Sequence, residues 1–271
     1  MIKQTLLGIC LLASTSVLAQ TSPFNYGFGD AKASFAPNPG ASSTKFLLRI
    51  MGSVKTIKPV VRIRTASDGS GEFNLVTDGA SFINGAGLEV IAGTTTSKLS
   101  MYDLEMKKTT KTSFDIKFDE SKTGQWIFAN GNSASEEDVF QGNSSVKETN
   151  TEIFAGLRWV LSESNELSFY VREGAKWEKV KVHPFVKGKE YHLDIISNNA
   201  ATEQTIESYK VSEGTYQIML SGSQIGRAYK SGGLQSDTNL NAILFLGYKP
   251  KDSSEKPKAI LDNISITDTP K

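Results

Sequence analysis

Large apolar side chains recur at every second residue over most of this chain, and that period suits strands and little else. Phe114, Ile116 and Phe118 alternate with polar neighbours, as do Leu157, Trp159 and Leu161; Leu167, Phe169 and Val171; Tyr191, Leu193 and Ile195; and Tyr216, Ile218 and Leu220. Successive side chains of a strand point to opposite faces, so each set lines one face of a sheet. Phe46, Leu48 and Ile50 repeat the pattern nearer the start. Turn clusters separate the runs, SDGSG at 67–71, NGAG at 84–87 and SGG at 231–233, with glycines to supply the positive φ of tight turns. No helical period extends beyond about two turns, and the best candidate, residues 98–107, alternates well enough to be a strand. The expectation is an all-β chain, a single antiparallel jelly-roll-like β-sandwich over residues 20–271.

Two late segments refine it. AILFLGY at Ala242 to Tyr248 is apolar on both faces, as expected of a strand buried between two layers, and Leu261 to Thr267 returns to alternation with Ile264 and Ile266 on one face. The expected core therefore includes Phe114, Ile116, Trp159, Phe169, Leu193, Phe245 and Ile264. Residues 20–45 scatter Phe24, Tyr26, Phe28 and Phe35 among Gly, Pro and Ser, and read as an N-terminal strand with loops or as aromatic lacing over a sheet. The polar stretch Asn130 to Asn150 is the most conspicuous loop, of a length often given to function.

The first nineteen residues set the expected location. Lys3 precedes an apolar run from Leu6 to Leu12, and Val17-Leu18-Ala19 then matches the small-residue cleavage pattern of a secretory signal. Cleavage after Ala19 would remove Cys10, the one cysteine, so disulfides, thiol catalysis and Cys-ligated metals are excluded from the remaining chain. The lipoprotein alternative, with Cys10 as the modified residue, puts bulky Ile9 where a small residue belongs. No segment approaches the ~20 apolar residues of a membrane-spanning helix. Lys+Arg 30 against Asp+Glu 29 leaves no basic footprint for nucleic acid. The chain is expected to be exported, to the periplasm or the medium.

Strong catalytic signatures are absent: no H-E-x-x-H, no G-x-S-x-G, no Walker loop. The two histidines, His183 and His192, read as neighbouring strand-end residues with structural or surface roles. Paired carboxylates of the glycosidase kind would have to come from Asp115, from Asp103 with Glu105, or from Glu136-Glu137-Asp138. Each is better explained as a solvated strand face or an acidic loop. Sugar binding asks less, an exposed aromatic to stack on a pyranose face and planar polar groups for the hydroxyls. Trp159 is in core phase, Trp126 opens into the long loop, and Trp177 lies among charges in a hairpin-like segment. The expected ligand surface is Trp126, Asn130, Asn132 and the loop Glu136 to Gln141, joined by Trp177 and Tyr229. The opposing reading turns Trp126 inward with its strand. No cofactor is expected, although calcium could be held by Asp30 near the start and Asp262 near the end.

Tyr229-Lys230-Ser231-Gly232 is similar to the Y-x-K-x-G strand of certain jelly-roll polysaccharide lyases, but off by one residue. The companion Q-I-H is replaced by Gln217-Ile218-Met219. More broadly, the chain resembles exported bacterial β-sandwich modules of concanavalin A-like, laminin-G-like type. The matching pieces are APNPG at 36–40, GSGEFNL at 69–75, KLSMYD at 98–103, SFDIKF at 113–118, QWIFANG at 125–131, FAGLRW at 154–159, EYHLDI at 190–195 and ILDNI at 260–264. The resemblance implies a concanavalin A-like sandwich whose relatives look like glycan-binding or adhesive modules. The expected function is non-enzymatic binding of carbohydrate or another extracellular surface ligand. The alternatives are a carbohydrate-active lyase or hydrolase on the same fold, or a structural envelope protein.

Overall fold

The computed structural model describes residues 24–35, 38–44, 46, 59–133, 140, 150–182 and 184–268. The leader, Leu48, Ile50, His183 and, Phe140 apart, the loop Glu136 to Gln141 lie outside them. Among the described residues there is no helix, and so none long and apolar enough to cross a membrane. Instead there are twenty strands. In chain order these begin β1 (Phe24–Tyr26), β2 (Ala33–Phe35), β3 (Ser42–Ser43), β4 (Val60–Arg64), β5 (Glu72–Val76), β6 (Gly87–Ile91) and β7 (Ser97–Tyr102). They continue with β8 (Thr109–Phe118), β9 (Gln125–Gly131), β10 (Ile153–Val160), β11 (Ser168–Glu173), β12 (Lys176–Lys179) and β13 (Glu190–Asn198). The last are β14 (Gln204–Ile206), β15 (Tyr209–Val211), β16 (Thr215–Leu220), β17 (Ser223–Gln224), β18 (Tyr229–Lys230), β19 (Ala242–Tyr248) and β20 (Lys258–Asp268).

Two antiparallel sheets form an all-β sandwich of jelly-roll type. One, of ten strands, runs β17-β16-β13-β8-β20-β6-β5-β2, with β1 beside β20 and β18 beside β16. The other, of eight, runs β12-β11-β10-β9-β19-β7-β4-β3, and β14 and β15 form a separate hairpin. The alternation seen in the sequence sets which side chains meet between the sheets. Phe114 of β8 lies 4.9 Å from Phe128 of β9, and Phe118 lies 5.4 Å from Trp159 of β10, centroid to centroid. Every residue of the expected core is buried. Of the two readings of residues 20–45 the N-terminal strand is found: β1 pairs with β20, and the Tyr26 and Phe28 rings, edge to face at 5.2 Å, are buried in the main core.

The two-sided strand 242–248 has a different explanation from the expected one. β19 is central in the eight-stranded sheet, and only Ile243 and Phe245 face the other sheet. Ala242, Leu244 and Leu246 belong to a second apolar cluster on the outer face, with Tyr102, Ile127, Ala129, Phe140 and Ile153. Gly247 sits opposite Trp126, whose ring lies over it so closely that a Cβ would come within 2.1 Å of ring carbon. The ring is stacked on Phe245 at 5.7 Å and 11°.

Polar groups also join the two sheets across the core. Asn130 Nδ2 on β9 donates to Ser197 Oγ on β13 at 3.0 Å, and its Oδ1 accepts from the Ala155 N–H at 3.0 Å. Both members are buried, so the pair satisfies polar atoms that would otherwise cost about 1–3 kcal/mol each.

Candidate functional site

The phase that turns Leu157 and Trp159 inward turns Arg158 out, and Tyr170 likewise emerges between Phe169 and Val171. Arg158 and Tyr170 are register partners, and Trp177 of β12 comes opposite Arg172. The three outward groups meet on the outer face of the eight-stranded sheet, near its β12 edge. The Arg158 Cζ lies 4.3 Å from the Tyr170 ring centre and 4.8 Å from the Trp177 ring centre. Gly156 makes room: a Cβ there would sit 3.1 Å from the Trp177 ring. Beneath, Arg172 is fully buried, and its Nη2 donates to the Asn150 carbonyl at 3.1 Å. Tyr248 of β19 completes the surroundings; its hydroxyl donates to Gln125 Oε1 at 2.9 Å. Burial holds the Arg158 guanidinium below its ordinary pKa, opposed by the neighbouring phenols of Tyr170 and Tyr248. All five side chains are half-buried, so rings and polar edges reach solvent.

The five residues read as a ligand surface from the sequence do not converge. Trp126 is fully buried between the sheets, so it offers no stacking face. Asn130 is the cross-sheet pin described above. Both face inward because residues 126, 128 and 130 share one strand phase. Asn132 lies at one end of the sandwich, where Nδ2 donates to the Asn239 carbonyl at 2.8 Å beside an open cleft of about 500 Å³ lined by Asp103, Glu105, Asn239 and Asn241 among others. Tyr229 is buried, its ring 5.6 Å from Tyr216, and burial pushes its phenol up. That also removes it from the solvent position a lyase-type tyrosine would need. Trp177 alone of the five joins the platform.

Asp30 and Asp262 each flank the turn at 83–86. The Asn84 N–H donates to Asp262 Oδ2 at 3.1 Å, and a Cβ on Gly85 would fall 2.5 Å from Asp30 Oδ1. Asp262 is buried with Oδ1 unpartnered, and burial pushes its carboxyl up. Among the described residues no three His, Cys, Asp or Glu side chains gather to hold a metal ion.

On the outer face of the ten-stranded sheet His192 bridges two carboxylates, Nδ1 at 2.7 Å from Asp115 and Nε2 at 3.4 Å from Asp194. These hydrogen bonds, Asp115 first, push the imidazole pKa up to about 10, so the ring is a fixed cation at neutral pH and a poor general base. The folded pKa lies above the ordinary 6.5. The stabilisation is thus complete below about pH 6.5 and is lost as pH rises toward about 10. The side chain is 46% exposed. Solvent screening therefore limits the effect to about 1 kcal/mol. Urea denaturation between about pH 6 and 9 should show that fall in the wild type and not in His192→Gln. Parallel pH profiles would show that the bridge contributes nothing.

No protein-family model matches the chain, and no curated protein matches it. Among solved structures it is similar to an alginate lyase at 12% identity, covering 93% of this chain and 99% of that one, TM-score 0.48. It is similar to a sialidase at 12% identity over 78% of this chain, TM-score 0.46, and spans 21% of that chain's length. A third likeness, at 10% identity over 68% of this chain and 84% of the other with TM-score 0.45, is to a Bacillus subtilis protein of unknown function with a galectin-like fold.

Sequence reasoning missed Arg158 and Tyr170, although a signal was present. Each stands between two apolar residues of one inward phase, which placed it outward.

Proposed function

We propose that this is an exported protein that binds carbohydrate on the outer face of its eight-stranded sheet, at the Trp177–Arg158–Tyr170 platform. The observation that carries the reading is the pair of solvent-reaching rings held against one guanidinium on paired strands. A pyranose offers apolar C–H faces to such rings and hydroxyls to the polar groups beside them. Placing the groups on paired strands fixes their spacing before a ligand arrives, which lowers the entropy lost on binding. The leader-like residues 1–19 support export.

The test is a glycan array on purified protein, followed by titration of the best ligand into wild type and Trp177→Ala. Loss of the ring should weaken binding by about 1–2 kcal/mol, roughly 5- to 30-fold. Unchanged affinity in a variant that still folds would remove this surface from consideration. The same samples, assayed for new reducing ends and unsaturated products, distinguish binding from catalysis: product formation would favour the enzyme reading.

A further inference from the structure

We infer that the carbohydrate taken at this platform is acidic, its oxyanion received by Arg158 with Gln125 beside it. The inference rests on the platform being the binding surface. Arg158 Nε is buried and has no hydrogen-bond partner, and no carboxylate among the described residues pairs with this guanidinium. Contact with the Tyr170 and Trp177 rings gives the cation a favourable quadrupole but satisfies none of its five N–H donors.

Gln125 shows the same deficit. Its Oε1 accepts from the Tyr248 hydroxyl, which marks the other end of the amide as the donor end, and that Nε2 is buried without an acceptor. Gln125 stands opposite Val160 and Arg158 opposite Ile127 on the paired strands β9 and β10. The two are diagonal neighbours on one face, at a Cα separation of about 7–8 Å that long side chains bridge. Tyr248 acts electrostatically on Arg158 as well as bonding Gln125, so the three side chains form one group.

A buried donor left unmade is destabilising, and more so when it is charged. The guanidinium and the amide belong to half-buried side chains on one outer face, so the acceptor that these two donors lack can come from outside. A carboxylate or a sulfate ester supplies several oxygens, and charge-assisted bonds from a guanidinium are about twice as strong as neutral ones. The surroundings favour a negative charge: Lys179 stands beside Tyr170, while Glu173 and Glu178 near the β12 edge are taken by Arg227. Guanidinium and rings hold each other, so little side-chain entropy is left to lose on binding.

The experiment titrates the full-length protein with polygalacturonate, with its methyl ester, with a sulfated galactan and with the desulfated form of that galactan. One acid should bind at least about 10-fold more tightly than its neutral form, and the better arm identifies the oxyanion as carboxylate or sulfate. Arg158→Gln should abolish the preference, bringing the acid to the affinity of its neutral counterpart in the same variant. Arg158→Lys should restore only part of the preference, since charge returns without the planar fork. Equal affinity for acid and neutral forms, or a preference that survives Arg158→Gln, overturns this inference and leaves the platform standing. No binding of either acid overturns this inference as well, whereas binding indifferent to Trp177→Ala overturns the platform reading itself.

Discussion

Trp159→Ala is expected to lower stability by about 3–5 kcal/mol, a large part of what holds a domain of this kind together. The indole is fully buried, 5.4 Å from Phe118, 5.7 Å from Phe169 and 5.7 Å edge to face from Phe185. These neighbours come from both sheets and from the segment after β12. No single backbone shift can close the space that truncation leaves, and the lost transfer energy is joined by a cavity cost. Chemical denaturation measures it. A change below about 1 kcal/mol would mean that the site collapses freely or that the strand faces solvent.

Gly247→Val should cost about 3 kcal/mol for the opposite reason. The new Cβ would overlap the Trp126 ring at 2.1 Å, and the ring has nowhere to go, being stacked on Phe245 and in contact with Phe118. Overpacking of a filled core usually costs about 1–3 kcal/mol, and two added methyl groups beyond the Cβ put this case at the upper end. The pair should be strongly coupled. Gly247→Val in a Trp126→Leu background should be markedly less harmful than in the wild type, with a coupling energy above about 1 kcal/mol in the double-mutant cycle. Additive effects would show that the clash is relieved elsewhere.

The strands were legible because each carries its own phase. Leu157 and Trp159, or Phe169 and Val171, need no partner to declare which way they point. Trp126 and Asn130 were equally legible, since they share the phase of Phe128. The polar loop that follows drew attention to them as a surface, and the strand period had the stronger physical claim. What a single strand cannot show is register. Arg158 meets Tyr170 and Trp177 only once β10, β11 and β12 are aligned, and Tyr229 is buried only because β18 brings it against Tyr216. The outer apolar cluster was hidden in the same way. The residues 242–248 declare two apolar faces without saying that one of them packs away from the opposing sheet.

The position of β12 at the end of its sheet has a consequence for how the molecule keeps to itself. An outermost strand presents unpaired N–H and C=O groups, a template onto which another chain can add. A flat, aromatic edge would be a hazard, and this one carries Trp177. It is also four residues long and holds Lys176, Glu178 and Lys179, all exposed. Any chain docking along it would have to desolvate those charges, and a shared copy would set lysine against lysine. Replacing both lysines with threonine should leave the fold intact while making concentrated samples self-associate, since the bare edge beside the tryptophan would then accept a second chain.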